Sequence, residues 1–420
     1  MAPGFFPLDE ELELLPGSLS PWLYENLARL GTWMPFPRAA QMLAAFTRVT
    51  VSDDVARDRA ETAGAAQVAL QTAEVERLER QTPPAPPGPA QQYLSADGAM
   101  VPLVGGTWAE VKSVVIGEVG TPVLDAKHHE WVVHTHQLSY FSRLADADTF
   151  NRLALVETHR RGVENAGQVA AVVDGAEWLQ GFADWHRRDA LRILDFPHAG
   201  SYVAKIGQAT WGADTPELAS WLQTQLHALK HAGPAAVLPT LRDLVAANPQ
   251  AQALELPQAL AYLEKRQAQM DYPAFQAQGW PIASGATESG NKLVVEARLK
   301  GAGMHWARDQ VDPMLALRNV ACNDRWDEAW PQIETQLRQQ ARDQSAARRA
   351  RRRAEAVNCP TPTQDSAPLP MPAPAPPALA KVSSEPPPVD VTPAPRRPAA
   401  NHPWRRSAVR RTERSRFSAS

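Results

Sequence analysis

The pattern of apolar and polar positions changes several times along the chain, and each change predicts a different kind of element. Apolar residues recur at helical spacing through residues 1–80, which predicts short helices there. A proline-rich stretch at residues 81–91 then interrupts any helix and is typical of an extended linker. Beyond it the pattern indicates strands, with Gly and Pro turns between them, at residues 93–97, 111–119 and 131–136.

The most apolar of the short runs lies at residues 169–173, where every residue is Val or Ala. A run of this kind is typical of a strand that is buried on both faces of a sheet. It ends in Asp174 and Gly175. A carboxylate at the end of a buried strand is costly unless it has a partner or a metal ion. The simpler alternative is a turn, because Asp-Gly is also a common turn pair.

The remaining pattern places helices around these strands. We predict a helix at residues 148–164, a short strand at 190–195 and a helical insertion at about 200–280. A glycine-containing loop at residues 281–296 then leads into a helix that carries Glu288 near its beginning, and further helices continue to residue 342. Strands that alternate with helices predict an α/β fold with a mixed sheet covered on both faces.

The same pattern divides the chain into four parts. Residues 1–80 form a small helical domain, 81–91 a linker, 92–342 the main α/β domain, and 343–420 a disordered tail rich in Pro and Arg.

Within the first part, Ser20 and Ser52 are predicted helix N-caps, and short helices across tight turns outline a helix-turn-helix. Arg57 and Arg59 would then contact a DNA groove or its phosphates. The acidic Asp53 and Asp54 would repel phosphates, so an ordinary helical hairpin is an equal alternative.

Charge and cysteine content restrict the class of protein. The net charge of −3 conceals a basic tail on an acidic body, which suggests an electrostatic arm for a polyanion such as DNA. Two cysteines, Cys322 and Cys359, exclude a disulfide framework and a four-thiolate zinc site. We find no apolar run long enough for a membrane span and no signal peptide, so we expect a cytoplasmic protein without a membrane partner.

Three carboxylates stand out as candidate metal ligands: Asp97 at the end of the first predicted strand, Asp174, and Glu288 at the start of a helix. Adjacent parallel strands would bring the two aspartates together, and a helix that crosses the sheet would add the glutamate. Oxygen ligands alone suit Mg²⁺ or Mn²⁺ rather than zinc. Two such ions about 4 Å apart would stabilise the attacking and leaving oxygens of a phosphoryl transfer.

The sequence around these carboxylates resembles that of bacterial insertion-sequence transposases of the ISKra type. The resemblance extends from about Gly4 to Arg338 and depends on the order of its motifs. These motifs are Ala96-Asp97-Gly98, Val173-Asp174-Gly175-Ala176-Glu177-Trp178, Ile193-Leu194-Asp195-Phe196-Pro197-His198-Ala199, Ala286-Thr287-Glu288-Ser289-Gly290-Asn291-Lys292, Arg298-Leu299-Lys300-Gly301-Ala302-Gly303-Met304-His305-Trp306 and Leu315-Ala316-Leu317-Arg318.

The resemblance implies a ribonuclease-H-like fold with a helical insertion and an Asp-Asp-Glu site formed by Asp97, Asp174 and Glu288. It further implies two Mg²⁺ or Mn²⁺ ions, cleavage of transposon ends by water, and strand transfer by the freed 3′-hydroxyl. The partners would be transposon ends and target DNA, bound by a homo-oligomer in the nucleoid. Relatives of this type usually carry a cysteine-rich segment before the Phe5-Phe6 stretch, so we expect a copy that is short at its N-terminus.

Several other residues remain open between two interpretations. Asp195 and His198 would support the metal site or contact DNA, but a helix-capping aspartate and a packed histidine are favoured. Lys292, Arg298 and Lys300 would contact DNA phosphates, whereas the alternative is an ordinary solvated surface or, for Lys292, a pair with Glu288. Two alternatives to a transposase also remain, namely a catalytically idle DNA-binding remnant and a nuclease recruited to another task.

Overall fold

A computed structural model of the 420-residue chain describes Leu15 and residues 19–126, 130–248 and 255–357. The predictions for residues 1–14 and for the tail at 358–420 therefore lie outside the described residues. Within the described ranges no helix is long and apolar enough to cross a membrane.

The described residues contain seven strands: β1 (Gln91–Pro102), β2 (Trp108–Val119), β3 (Val123–Asp125), β4 (Glu130–Val132), β5 (Thr135–Arg143), β6 (Gln168–Val173) and β7 (Leu191–Leu194). Five of them form one sheet in the order β5-β2-β1-β6-β7. The β1–β2 and β2–β5 pairs are antiparallel, whereas β6 is parallel to both β1 and β7. The predicted α/β class with a mixed sheet is confirmed.

The strand predicted at residues 131–136 is divided in the structure. Its first part is β4, which pairs only with β3 in a separate hairpin. Its second part begins β5 at Thr135, which pairs with Val119 of β2. Because the apolar and polar pattern continues across the break, it gave no sign that the chain leaves one sheet and enters another.

Helices surround the sheet, and their bounds are α1 (Pro21–Trp33), α2 (Phe36–Thr47), α3 (Asp53–Gln81), α4 (Ala147–Arg160), α5 (Glu177–His186), α6 (Phe196–Trp211), α7 (Pro216–Ala232), α8 (Leu238–Ala247), α9 (Glu255–Lys265), α10 (Tyr272–Ala277), α11 (Gly285–Asn291), α12 (Ala297–Leu299), α13 (Arg308–Cys322) and α14 (Trp326–Val357). A π-helical segment, Lys292–Glu296, joins α11 to α12. Short 3₁₀ turns occur at Val163–Asn165, Pro234–Ala236 and Gln267–Met270.

The strand β6 is buried on both faces, as its Val and Ala residues predict. On one face Ala171 and Val173 pack with Phe150 of α4 and Phe182 of α5. On the other face Ala170 and Val172 lie in a core with residues of the helical insertion: Val203, Leu229, Leu241, Leu263 and Tyr272. The insertion therefore covers part of one face of the sheet and contributes to its hydrophobic core.

The N-terminal helices share a core with the last helices of the described chain. Leu27 of α1 and Leu43 of α2 pack with Leu317 of α13 and Ile333 of α14. The helix α3 is 29 residues long, and a Cβ at its Gly64 would overlap the backbone of Pro313 in α13. All described residues fall into one compact unit, which is not divided at the linker.

The linker itself lies against the sheet. Asn165 donates a hydrogen bond to the carbonyl of Ala85 at 2.6 Å, and the Gly167 amide donates to the carbonyl of Pro89 at 2.9 Å. The prolines thus keep the chain extended, but they attach α3 to the sheet rather than separate two domains.

The last helix continues further than predicted. The helix α14 runs to Val357, so residues 343–357 are helical rather than disordered. The predicted N-caps Ser20 and Ser52 are confirmed, because their side chains accept hydrogen bonds from the amides of Leu23 and Val55.

Candidate active site

The pairing register places three aspartates side by side. Leu94 of β1 pairs with Ala171 of β6, and Val173 of β6 pairs with Leu194 of β7. Asp97 and Asp174 each lie three residues after the first of these pairs. Asp174 and Asp195 each lie one residue after the second pair. The three carboxylates thus form a row across the edge of three neighbouring parallel strands, where β1 and β6 cease to pair.

Asp97 is within a strand rather than at its end, which corrects the prediction. The parallel pairing of β1 with β6 stops at Leu94, but the antiparallel pairing with β2 continues to Pro102. Asp97 pairs with Ser113 of β2 on one side and faces the end of β6 on the other. The sequence pattern indicated only that pairing changes near this residue.

All three aspartates belong to the sheet face covered by the insertion. Tyr93, Val172 and Ile193 contribute to the core on that face, and side chains alternate along a strand. Asp97 lies four residues after Tyr93, Asp174 two after Val172, and Asp195 two after Ile193. Each even spacing keeps the aspartate on the same face as the core residue. The row therefore lies under the insertion helices and α11.

The carboxylate of Asp97 is held by two hydrogen bonds. Its Oδ1 accepts from the Gly98 amide at 2.7 Å, and its Oδ2 accepts from Asn291 Nδ2 at 3.0 Å. Burial raises the pKa of Asp97 above its usual value, and the nearby charge of Asp174 adds to that increase. The hydrogen bonds from Gly98 and Asn291 act in the opposite direction. Asp97 and Asp174 are thus close enough to interact electrostatically.

The turn after β6 fixes Asp174. Its Oδ1 accepts from the Ala176 amide at 2.9 Å, and its backbone carbonyl accepts from the hydroxyl of Tyr262 on α9. The guanidinium of Arg266, which follows α9, donates from Nε to the carbonyl of Gly175 at 3.1 Å. Tyr262 and Arg266, which belong to the insertion, therefore hold the backbone carbonyls of Asp174 and Gly175.

Asp195 has a capping role. Its Oδ2 accepts from the His198 amide at 3.0 Å, which caps α6, and its Oδ1 accepts from the Ser284 amide at 2.6 Å. His198 packs against Tyr202 and Tyr262, with ring centroids at 5.3 and 5.9 Å. These contacts agree with the favoured interpretation of a capping aspartate and a packed histidine. Asp195 also connects the start of α6 to the loop before α11.

One face of the helix α11 packs against the sheet. Thr287 Oγ1 lies 3.2 Å from the hydroxyl of Tyr93, and Asn291 contacts Asp97. A Cβ at Gly290 would lie 2.8 Å from the side chain of Val115 and 3.0 Å from that of Tyr140, so glycine permits a close approach to β2 and β5. The sheet-facing positions of α11 are thus 287, 290 and 291.

Glu288 lies on another side of this helix. Its side chain is 69% exposed and its Oε1 accepts from Lys292 Nζ at 2.6 Å. This hydrogen bond lowers the pKa of Glu288 and raises that of Lys292. Successive residues of an α-helix are rotated by about 100° about the helix axis. Viewed along α11, Glu288 and Gly290 therefore lie on opposite sides of Asn291. Because Gly290 faces β2 and β5, Glu288 lies on the flank towards β6.

The predicted three-carboxylate cluster is therefore not assembled in this arrangement. The structure brings Asp97 and Asp174 together, but among the described residues no group of three or more His, Cys, Asp or Glu side chains is placed to hold a metal ion. Asp97 and Asp174 fit a hard divalent cation, since they offer only oxygen atoms and keep lone pairs beyond their hydrogen bonds. Glu288 does not fit it as it stands.

The predicted DNA-contacting side chains have mixed positions. Arg57 is exposed and pairs with Asp54 at 2.6 Å, and Lys300 pairs with Glu296 at 2.6 Å. Arg59 packs over the ring of Tyr24, 5.4 Å from its centroid.

Arg298 is only 2% exposed and can contact neither DNA nor solvent, so both interpretations of it are wrong. Its Nε donates to the carbonyl of Gly31 at 2.9 Å, and its guanidinium lies 4.7 Å from the ring centroid of Phe36 and 4.9 Å from that of Trp306. Burial lowers the pKa of Arg298 to about 10. Arg298 thus joins the N-terminal helices to the segment before α13 from within the core.

Sequence reasoning missed three residues that shape the site, namely Asn291, Tyr262 and Arg266. The one local signal for Asn291 was that positions 287, 290, 291 and 294 carry no charge and recur at helical spacing, beside the charged Glu288 and Lys292. No local signal identified Tyr262 and Arg266, because their partners lie about 90 residues earlier. A cavity of about 610 Å³ lies between α3, α4 and α14, away from the aspartate row.

No family model matches the chain, and no curated protein sequence matches it.

Proposed function

We propose that the chain is a metal-dependent DNA strand transferase, an insertion-sequence transposase with a ribonuclease-H-like catalytic domain. One observation carries this proposal: Asp97 and Asp174 each follow by three residues the last paired positions of the adjacent parallel strands β1 and β6, Leu94 and Ala171, and lie on the same side of the sheet. The mixed sheet and the helical insertion before Glu288 are compatible with the fold that the sequence resemblance implies.

In this proposal Asp97 and Asp174 hold the divalent cation, Mg²⁺ or Mn²⁺. When bound, such a cation activates the attacking water or 3′-hydroxyl and stabilises charge on the leaving oxygen. The protein's own contribution is rigidity. The Gly98 amide and Asn291 orient Asp97, and the Ala176 amide orients Asp174. Fixed carboxylates matter because a displacement of about 0.5 Å already impairs a metal-binding geometry.

Glu288 is the proposed third carboxylate, and it must change partner to act. Its side chain now pairs with Lys292 in solvent, on the flank of α11 that faces β6. Water and salt screen an exposed ion pair of this kind, so its rupture is not a large obstacle. Lys292 would then be free to contact a DNA phosphate. DNA ends, target DNA and a second copy of the chain, all in the cytoplasm at the nucleoid, are the partners of this proposal.

The test is cleavage and joining of DNA that carries the genomic flanks of the gene, with the full chain and Mg²⁺ or Mn²⁺. We expect Asp97→Asn, Asp174→Asn and Glu288→Gln each to reduce cleavage by at least about a thousandfold, the scale on which removal of one essential group acts. Glu296→Gln is the matched control. Glu296 pairs with Lys300 at 2.6 Å and four residues apart, as Glu288 pairs with Lys292, but it is not a proposed ligand.

The outcomes also separate the alternatives. Near wild-type cleavage by the three variants contradicts the site. Cleavage without joining would indicate a nuclease, and binding of the flanks without cleavage under either cation would indicate an idle DNA-binding remnant. The exposed Glu288–Lys292 pair is the observation that favours the last alternative, because it describes a site that lacks one carboxylate.

A further inference from the structure

Asn291 is the side chain that contacts the aspartate row from the helix above it. It is 5% exposed, and its Nδ2 donates to Asp97 Oδ2 at 3.0 Å. The other oxygen of Asp97 accepts from the Gly98 amide. With one hydrogen bond on each oxygen, the plane of the carboxylate is fixed, and each oxygen keeps a lone pair.

The position of Asn291 is itself fixed from both sides. Before it, Thr287 and Gly290 hold α11 against Tyr93 and Val115. After it comes the π-helical segment Lys292–Glu296.

A single buried arginine binds that segment. Arg318 Nε donates to the carbonyl of Val294 at 3.2 Å, and its Nη2 donates to that of Leu293. Wide helical turns of this type are frequent at functional sites. The Asn291 amide therefore cannot drift away from Asp97 without moving a packed element.

Packing alone does not explain an asparagine at this position. Its Oδ1 is buried and has no hydrogen-bond partner. A buried unpaired acceptor costs about 1–3 kcal/mol, and an apolar residue of similar volume would avoid that cost. Within the described part of the chain, the Asn291 side chain makes one hydrogen bond, the one to Asp97, so orientation of Asp97 is what the asparagine contributes.

We infer that Asn291 is a positioning residue for the cation-binding aspartate pair. Its amide sets the direction of the Asp97 carboxylate, so that the free lone pairs of Asp97 and Asp174 converge on one cation. This inference rests on the proposed function, and it extends that function to a residue outside the three carboxylates. Groups that orient a metal ligand in this way affect metal affinity by about 10–100-fold when removed.

The test compares Mn²⁺ binding by the full-length chain and its variants, measured by calorimetry in the absence of DNA. Asn291→Leu removes the donor at similar volume, and we expect it to weaken Mn²⁺ binding by at least about tenfold. Thr287→Val is the matched control. It loses a hydrogen bond to Tyr93 on the same buried face of α11, but it does not touch Asp97. We expect it to change Mn²⁺ affinity by less than about threefold.

Asn291→Ser provides a second variant if Asn291→Leu does not fold, because the serine side chain is too short to reach Asp97. Unchanged Mn²⁺ affinity in a folded Asn291 variant would overturn the inference. So would an equal loss in Thr287→Val, Mn²⁺ binding that survives Asp97→Asn, or no Mn²⁺ binding by the wild type.

Cleavage assays separate this inference from the proposed function. If Mn²⁺ binds and depends on Asn291 but no DNA is cut, the proposed function fails alone. If DNA is cut and Asn291→Leu needs no more Mn²⁺ than the wild type, the positioning role fails alone.

Discussion

Arg266 holds Gly175 at the turn that follows Asp174, and the contact leaves no room for a side chain at residue 175. The guanidinium donates to the Gly175 carbonyl, and a Cβ at that position would lie 2.5 Å from Arg266 Nε and 2.6 Å from the Tyr262 hydroxyl. Gly175 also has a φ of 81°, a conformation that other residues rarely adopt. The helical insertion and the central aspartate are therefore mechanically connected.

Gly175→Ala is expected to lower the free energy of unfolding by about 2 kcal/mol or more. The left-handed backbone alone costs about 1–2 kcal/mol in a residue with a Cβ, and displacement of Arg266 and Tyr262 adds to it. Chemical denaturation measures the change. Gly181→Ala is the control, since Gly181 lies in the middle of α5 on its solvent-exposed side, with nothing near its Cβ position. The free energy of unfolding of this variant should rise by about 0.5–1 kcal/mol. Equal stability of the two variants would contradict the proposed contact.

The sequence predicted the centre of the fold better than its edges. The Val and Ala run of β6 followed by Asp174 and Gly175 could be predicted, because burial on both faces and a terminating Asp-Gly pair are local properties. The helical insertion at about 200–280 was predicted from another local property, the helical spacing of its apolar residues, and it contains α7, α8 and α9.

Long-range packing was not readable. Nothing in residues 1–80 shows that Leu27 and Leu43 bury themselves against Leu317 and Ile333, nearly 300 residues later. The separate helical domain was therefore inferred from the linker alone.

Arg298 shows the same limit within the candidate site. A positive charge close to other basic residues suggests DNA contact, but charge does not reveal burial, and its aromatic partner Phe36 comes from the distant N-terminal helices. Arg298→Ala should destabilise the chain by about 3 kcal/mol, because it leaves the Gly31 carbonyl unpaired and opens a cavity between two rings. Thermal and chemical unfolding measure the loss.

Lys300→Ala provides the comparison, since both side chains were predicted to contact DNA. Its pair with Glu296 is partly exposed, so the expected change is within about 0.5 kcal/mol. A mild effect of Arg298→Ala, similar to that of Lys300→Ala, would show that Arg298 is not buried as described.

His186 should make the fold sensitive to acid. Burial between α4 and α5 lowers its pKa from 6.5 to about 3, and its Nδ1 hydrogen-bonds with Thr158. A histidine with a lowered folded pKa binds a proton more readily when unfolded, so its contribution is lost as the pH falls below about 6.5 towards 3. The slope is at most about 1.4 kcal/mol per pH unit. His186→Gln cannot titrate, so its unfolding free energy between pH 7 and pH 4 should depend less on pH. Parallel curves for the two proteins would contradict the prediction.

Asp97→Asn should stabilise the protein at neutral pH while it removes the proposed activity. The pKa of Asp97 is raised by burial and by Asp174, which means that the folded protein disfavours the ionised carboxylate. An acid with a raised folded pKa binds more protons when folded, so stability falls as the pH rises from the unfolded pKa through the folded pKa. The asparagine variant avoids that loss, and the free Oδ1 of Asn291 lets the two amides pair after Asn291 turns over.

Urea denaturation of both proteins at pH 7 and below pH 4 tests this expectation. The variant should have the higher midpoint at pH 7, and its advantage should shrink as the pH falls below 3.8, the ordinary pKa of the carboxyl, because Asp97 then becomes protonated in the folded and the unfolded state. A lower midpoint at pH 7 would mean that the ionised carboxylate is favourably solvated in the fold, and it would argue against a buried pair of aspartates.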